Sequence, residues 1–208
     1  MILETIVVGA LAVNCYLVGS ATTHEAVVID PGDDAAKIMA VIKNKGLTLK
    51  YIVFTHGHFD HSGAALELHK ETGAKVLVNE KDAALLKNAA AQAAFFGMKA
   101  NAAPKPDGFL KEGNIVKVGE LEFKVIETPG HSQGCISLYM KKQRMVFTGD
   151  TLFWGSIGRT DLPGGDYKTI IHSLKVKLGA LPDDTKVYPG HGDDTTIGFE
   201  KQQNPYFE

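Results

Sequence analysis

Arginine is nearly absent from this chain: Arg144 and Arg159 are the only two among 22 basic residues, and the rest are lysine. Widespread bidentate recognition of phosphate, the usual work of arginine clusters, is therefore not expected. A surplus of either charge is missing too, since 22 basic and 24 acidic residues leave a formal charge of −2. That balance provides no electrostatic footprint for nucleic acid or for an anionic membrane, and neither is an expected partner. Long apolar runs are also lacking. The most apolar early stretch, residues 6–13, falls far short of the roughly 20 residues a spanning helix requires. As a signal-peptide core it has no positive flank, because Glu4 precedes it and the first lysine is Lys37. The expectation is a cytoplasmic protein. Cysteine is scarce, and Cys15 and Cys135 each fall in a β-rich stretch where a buried small hydrophobe is the expected role. A heavily disulfide-stapled fold is excluded.

What is present is ordinary: 208 residues, 44% hydrophobic and 22% charged, the proportions of a globular protein. A chain of this length buries roughly 70% of the surface that its unfolded form exposes. A single domain over residues 1–208 is expected. Residues 2–8, 14–18 and 25–29 read as short strands, and Asp30-Pro31-Gly32 closes the third. Asp34 is placed to cap a helix whose apolar face is Ile38, Val41 and Ile42, and Gly46 to stop it. Strands at 51–54 and 75–78 enclose a helix over 62–72, and the alanine-rich stretch 80–94 reads as one helix. Residues 101–108, with two prolines, read as a loop. Four β-rich runs, 115–118, 121–127, 135–140 and 145–147, read as a meander, followed by a helix over about 167–178 and a strand at 186–188. Both halves run from strands to a helix. That pattern suits an α/β or α+β sandwich, two sheets packed together with helices outside.

The decisive stretch is Thr55-His56-Gly57-His58-Phe59-Asp60-His61, directly after the strand at 51–54. Four metal-capable side chains stand within six positions where a strand turns toward a helix, the kind of loop on which rigid scaffolds carry reactive groups. Gly57 lets His56 and His58 turn to one centre while Asp60 and His61 turn to a second. Three further candidates sit at strand ends beside glycine: His131 in Gly130-His131-Ser132, Asp150 in Gly149-Asp150-Thr151 and His191 in Gly190-His191-Gly192. Each alone is weak. Together with the first stretch they make five imidazoles and two carboxylates, too many for one catalytic zinc, which usually takes three protein ligands and a water. Divided between two ions they fit, with Asp150 placed to bridge. Two divalent ions and two aspartates leave a surplus of positive charge that favours a hydroxide between the metals, available at neutral pH because metal binding lowers the pKa of water. This is a hydrolytic ligand set, and no serine or cysteine nucleophile is required.

These residues carry a resemblance. The HxHxDH stretch followed by GHS, GD and GH resembles the metallo-β-lactamase superfamily, and is most similar to its short glyoxalase II-like (hydroxyacylglutathione hydrolase-like) branch. The resemblance runs from Asp30-Pro31-Gly32 to Thr195-Thr196-Ile197-Gly198. It implies a four-layer αββα sandwich with two divalent metal ions at one edge, zinc first, with iron or manganese as alternatives. His56, His58 and His131 would hold one ion, Asp60, His61 and His191 the other, and Asp150 both; Asp60 would also position the hydroxide. Asp30 looks like the family's supporting acid, orienting a ligand from behind.

Three departures shape the expected substrate. Members that cleave antibiotics with a cysteine ligand carry it where this chain has Asp150, so β-lactams are disfavoured. Full-length glyoxalase II enzymes continue into a helical glutathione-binding domain, for which this sequence has no counterpart. A family loop that presents lysine and tyrosine to glutathione corresponds here to Arg159 and Asp161. Arg159 could meet a substrate carboxylate or simply pair with Asp161. Phe153 and Trp154 are candidates for a pocket wall because they follow Asp150. The segment 92–108 either overhangs the site or caps the sheet. The resemblance thus implies thioester hydrolysis of S-lactoylglutathione or a related small acyl thiol, by a monomer or small homo-oligomer. The alternatives are a persulfide dioxygenase holding one iron on His56, His131 and Asp150, a lactonase, and a non-catalytic module.

Overall fold

The computed structural model describes residues 1–208. Six strands follow one another in the first sheet: β1 (Ile2–Val8), β2 (Val13–Gly19), β3 (Glu25–Ile29), β4 (Thr48–Val53), β5 (Lys75–Asn79) and β6 (Gly108–Leu110). The first three pair antiparallel and the last four parallel. Parallel neighbours need crossovers. Helices α1 (Ala35–Asn44), α2 (Ala65–Thr72) and the pair α3 (Ala83–Lys87) and α4 (Ala89–Phe95) fall within them.

The expected meander forms the second sheet: β7 (Ile115–Val118), β8 (Leu121–Glu127), β9 (Ile136–Met140) and β10 (Met145–Gly149) pair antiparallel in order. A small hairpin, β11 (Leu152–Phe153) with β12 (Ser156–Ile157), and helix α5 (Tyr167–His172) come next. Then β13 (Lys186–Pro189) lies parallel beside β10, β14 (Thr195–Thr196) completes the edge, and α6 (Ile197–Gln203) closes the layer.

Side-chain alternation explains the layering. Every residue of β2 is buried, with Val13, Cys15 and Leu17 facing α1 and α2 while Tyr16 and Val18 face the second sheet. Ala26 and Val28 of β3 repeat the division against Val27 and Ile29. In the other sheet Phe147 turns inward and Val146 outward, toward Leu174, Leu178 and Ile197. Three cores separated by two sheets make four layers, the αββα sandwich. Both cysteines are buried and free. No helix is long and apolar enough to cross a membrane.

Two local expectations are corrected. Asp34 does precede α1, but its backbone is left-handed (φ 55°) and its side chain does not cap the helix. Its carboxylate instead accepts from Gly9 N at 3.1 Å. Nor do residues 80–94 form one helix. A 3₁₀ turn, Glu80–Asp82, precedes α3, and Asn88 interrupts the run, its side-chain amide donating to Ala84 O at 3.0 Å. Asparagine competes with the helical backbone for such bonds.

Candidate metal centre

The candidate residues follow the carboxyl ends of strands in both sheets. His56, His58, Asp60 and His61 follow β4, His131 follows β8, Asp150 follows β10 and His191 follows β13. The two sheets are stitched together at this end. Ile136 N donates to Thr55 O, Asn14 N to Gly190 O, and Tyr16 Oη to Pro189 O at 2.6 Å. Two glycines make the approach possible. A Cβ on Gly190 would stand 2.2 Å from Asp150 Oδ1, and one on Gly149 (φ 50°) would stand 2.2 Å from Thr55 Oγ1.

All seven residues converge. His56, His58 and His131 bring three ring nitrogens within 4.8 Å of one another, and Asp60, His61 and His191 do the same with two nitrogens and an oxygen. Asp150 lies between the groups: Oδ1 is 3.5 Å from His61 Nε2, while Oδ2 is 3.6 Å from both His131 Nε2 and His191 Nε2. Asp30, His56 and His61 also lie close enough to form a triad. Asp30 is nevertheless engaged elsewhere, its two oxygens accepting from Thr55 N (2.8 Å) and Thr55 Oγ1 (2.6 Å). It stands behind the centre, with Oδ2 3.1 Å from His61 Nδ1.

Those outer contacts set the tautomers. Thr55 has one hydroxyl proton and gives it to Asp30, so its oxygen must accept from His56 Nδ1, 3.1 Å away. The His56 Nε2 lone pair is thereby turned toward the centre. His131 Nδ1 donates to Arg159 O at 2.7 Å and His191 Nδ1 to Leu11 O at 3.0 Å, with the same result. His56 Nε2, His61 Nε2 and Asp150 Oδ1 are buried without a hydrogen-bond partner. Buried polar atoms are rarely left so. A nitrogen-and-carboxylate donor set of this kind suits zinc, iron or manganese.

The sequence reading missed Asp82, which falls in the alanine-rich stretch. Its buried carboxylate accepts from Gly57 N (2.9 Å), Ser132 Oγ (2.5 Å) and Gly134 N (2.7 Å). It clamps the loop of His56 and His58 to the loop of His131. The one signal in the sequence was Asn79, whose side chain accepts from Lys81 N and starts the short turn carrying Asp82.

Electrostatics divides the centre. Burial, reinforced by neighbouring imidazoles, pushes His56 well below the ordinary histidine range and His58 down to about 4. At His61 burial also disfavours charge, but Asp150, Asp60 and Asp30 outweigh it and lift the pKa well above normal. His191 follows suit through Asp60 and Asp150, against burial. Burial would raise the Asp60 and Asp150 carboxyls, yet His61 and its neighbours hold both below the usual range. The field at this half of the centre attracts positive charge.

The centre opens into a cavity of about 820 Å³ whose wall is mostly apolar, with Phe95, Phe96 and Met98 on one side and Leu162 and Pro163 among the rest. Part of the 92–108 segment therefore does overhang the site. Arg159 lines this cavity and is also paired with Asp161 through two bonds of 2.7 and 2.6 Å. Phe153 and Trp154 are not on its wall. The β11–β12 hairpin turns at Gly155, which puts Phe153 edge-on to the His191 ring, 6.1 Å between centroids, and sends the exposed Trp154 to Phe199 at 6.4 Å.

Comparisons with known proteins bear on the fold and the family. The hydroxyacylglutathione hydrolase GloC of Haemophilus influenzae is 42% identical, over 99% of this chain and 98% of its own. The crystal structure of BLEG-1, a B3 metallo-beta-lactamase, superposes with a TM-score of 0.93 at 36% identity, covering 99% of both chains. TTHA1623 in a di-iron-bound form gives 0.91 at 39% identity, covering 98% of this chain and 99% of its own. The sequence profile of the metallo-beta-lactamase superfamily matches residues 8–191, from the last residue of β1 to the final histidine of the centre. The chain belongs to that superfamily.

Proposed function

We propose that this metallohydrolase cleaves thioesters, with S-lactoylglutathione or a related acyl thiol as substrate and two divalent metal ions, zinc first, as cofactor. The observation that carries the reading is Asp150, which addresses His61 with one oxygen and His131 and His191 with the other. A carboxylate shared in this way fits two cations better than one. His56, His58 and His131 would hold the first, and Asp60, His61 and His191 the second. When bound, such ions supply an activated water at neutral pH and polarise the substrate carbonyl.

The chain's own residues do the rest. Asp60, half-buried and 3.5 Å from His191 Nε2, faces the cavity where the attacking water would be oriented. Thr55, backed by Asp30, and the carbonyls of Leu11 and Arg159 hold His56, His191 and His131 in the tautomers described. Apart from the candidate metal ligands and the paired Arg159, no titratable side chain on the cavity wall can give a proton to a leaving group. A thiol with a pKa of about 8.5 departs without one, whereas an amine does not. The 42% identity to a hydroxyacylglutathione hydrolase supports the same substrate class.

The test is free-thiol release from S-lactoylglutathione by protein loaded separately with zinc, iron and manganese, with a chromogenic β-lactam and glutathione persulfide as parallel substrates. Thiol release that is abolished by a chelator is expected. Cleavage of the β-lactam alone, or oxygen uptake with the persulfide by the iron form alone, would overturn the thioesterase reading.

A further inference from the structure

The apolar wall of the cavity begins at the centre itself. Phe59, between His58 and Asp60, stacks on Phe96 at 5.9 Å and 27°, and Phe96 meets Phe95 edge-on at 5.3 Å. The three rings run from the hydrolytic loop to the rim. Phe95 remains 83% exposed. A phenylalanine left in water forgoes the gain that burial gives it, and a contiguous apolar patch beside a site, here Phe95 with the part-exposed Phe96, marks a binding surface.

The polar residues of the same wall are already engaged. Gln92 Nε2 donates to Leu85 O (2.6 Å) and Gly57 O (3.3 Å), Asn88 Nδ2 to Ala84 O, and the Arg159 guanidinium to both oxygens of Asp161. No lysine lines the cavity. Glutathione carries two carboxylates and an ammonium group, and this wall offers them one cation that is already neutralised. Charged groups placed against it would lose water without gaining a partner.

We propose, on the thioesterase reading above, that the preferred substrates carry an extended apolar acyl chain lying along Phe59, Phe96 and Phe95. Phe95 and Phe96 are then specificity-determining residues, and the thiol carrier contributes little. The chemistry is the same hydrolysis, in which water adds its oxygen to the acyl carbon and the C–S bond breaks to give a carboxylic acid and a thiol.

The experiment compares N-acetylcysteamine thioesters from acetyl to octanoyl with S-lactoylglutathione, on metal-loaded wild type and Phe95→Ser. In the wild type kcat/KM should rise with chain length, by up to about fourfold per buried methylene, and the longer acyl groups should surpass lactoylglutathione. In Phe95→Ser the octanoyl-to-acetyl ratio should fall at least severalfold. Calorimetric titration with unreactive alkyl thioethers gives a second readout, with affinity rising with chain length in the wild type and much less in the variant. A flat chain-length profile with lactoylglutathione preferred overturns this inference and leaves the thioesterase standing. Hydrolysis of no thioester overturns both.

Discussion

His56, His58 and His131 offer a cation three nitrogens and no negative charge, all of them buried. Asp60, His61 and His191 offer a carboxylate, and Asp60 and His191 are only half-buried. The first triad resists positive charge, as the lowered pKa values of His56 and His58 show, while the second collects it at His61 and His191. Beyond the shared Asp150, affinity at the first would therefore come from geometry, from rings fixed at their rear nitrogens by Thr55 and the Arg159 carbonyl. At the second the field of Asp60 and Asp30 would add to it. Positioning would weigh more at one site and charge at the other.

The largest effect should come from removing what the triads share. Asp150→Asn should lower metal content, read by mass spectrometry of the purified protein, and cut turnover by more than about a hundredfold. Full activity with two bound ions would sink the bridging role. Next comes the clamp. Asp82→Ala leaves Gly57 N, Ser132 Oγ and Gly134 N without their acceptor, and each buried orphan costs roughly 1–3 kcal/mol. A loss of about 3 kcal/mol in denaturant unfolding is expected, with metal binding weakened first at the nitrogen triad. An unchanged unfolding midpoint would show that the clamp does not matter.

Thr55→Val sharpens the comparison further, because it releases His56 while His61 keeps Asp30. Metal titration should show roughly tenfold weaker binding at one site alone, and an equal loss at both would erase the distinction. The smallest effect is on the chelated protein's stability with pH. His58, depressed to about 4 from 6.5, withdraws stability as pH falls from 6.5 toward 4, because the unfolded chain takes up a proton there that the folded one refuses. His61 acts oppositely. Its raised pKa gives stability that is complete below 6.5 and lost as pH climbs through the folded value. Urea titrations should therefore find a maximum near 6.5, and a steady rise across the range would contradict it.

The candidate ligands were legible as a cluster because metal binding demands particular side chains, and here they sit beside the glycines that let loops approach. Strands of the meander were legible through alternation, as in β7 and β8, whereas β2 and β3 were legible as continuous apolar runs because both their faces are buried. What the letters concealed acts through the backbone or through tertiary contact. Leu11 and Arg159 fix His191 and His131 with carbonyl oxygens, which any residue would supply. Asp82 looks like a surface residue of an alanine-rich helix until the turn after Asn79 buries it against Gly57 and Gly134. Asp34 looks like a cap until the loop of Gly9 claims its carboxylate. Trp154 follows a ligand in sequence, but a hairpin turn carries it to α6.

The stitching of the two sheets at one end has a mechanical consequence. Thr55 binds the first sheet to Ile136 of the second, and Asn14 and Tyr16 of β2 grip the end of β13 through Pro189, Gly190 and Gly192. The opposite end is joined as well, by Ser20 Oγ to Glu120 and Gly119 N to Glu25. The sandwich is thus fastened at both ends, and candidate ligands drawn from two sheets are held at one spacing.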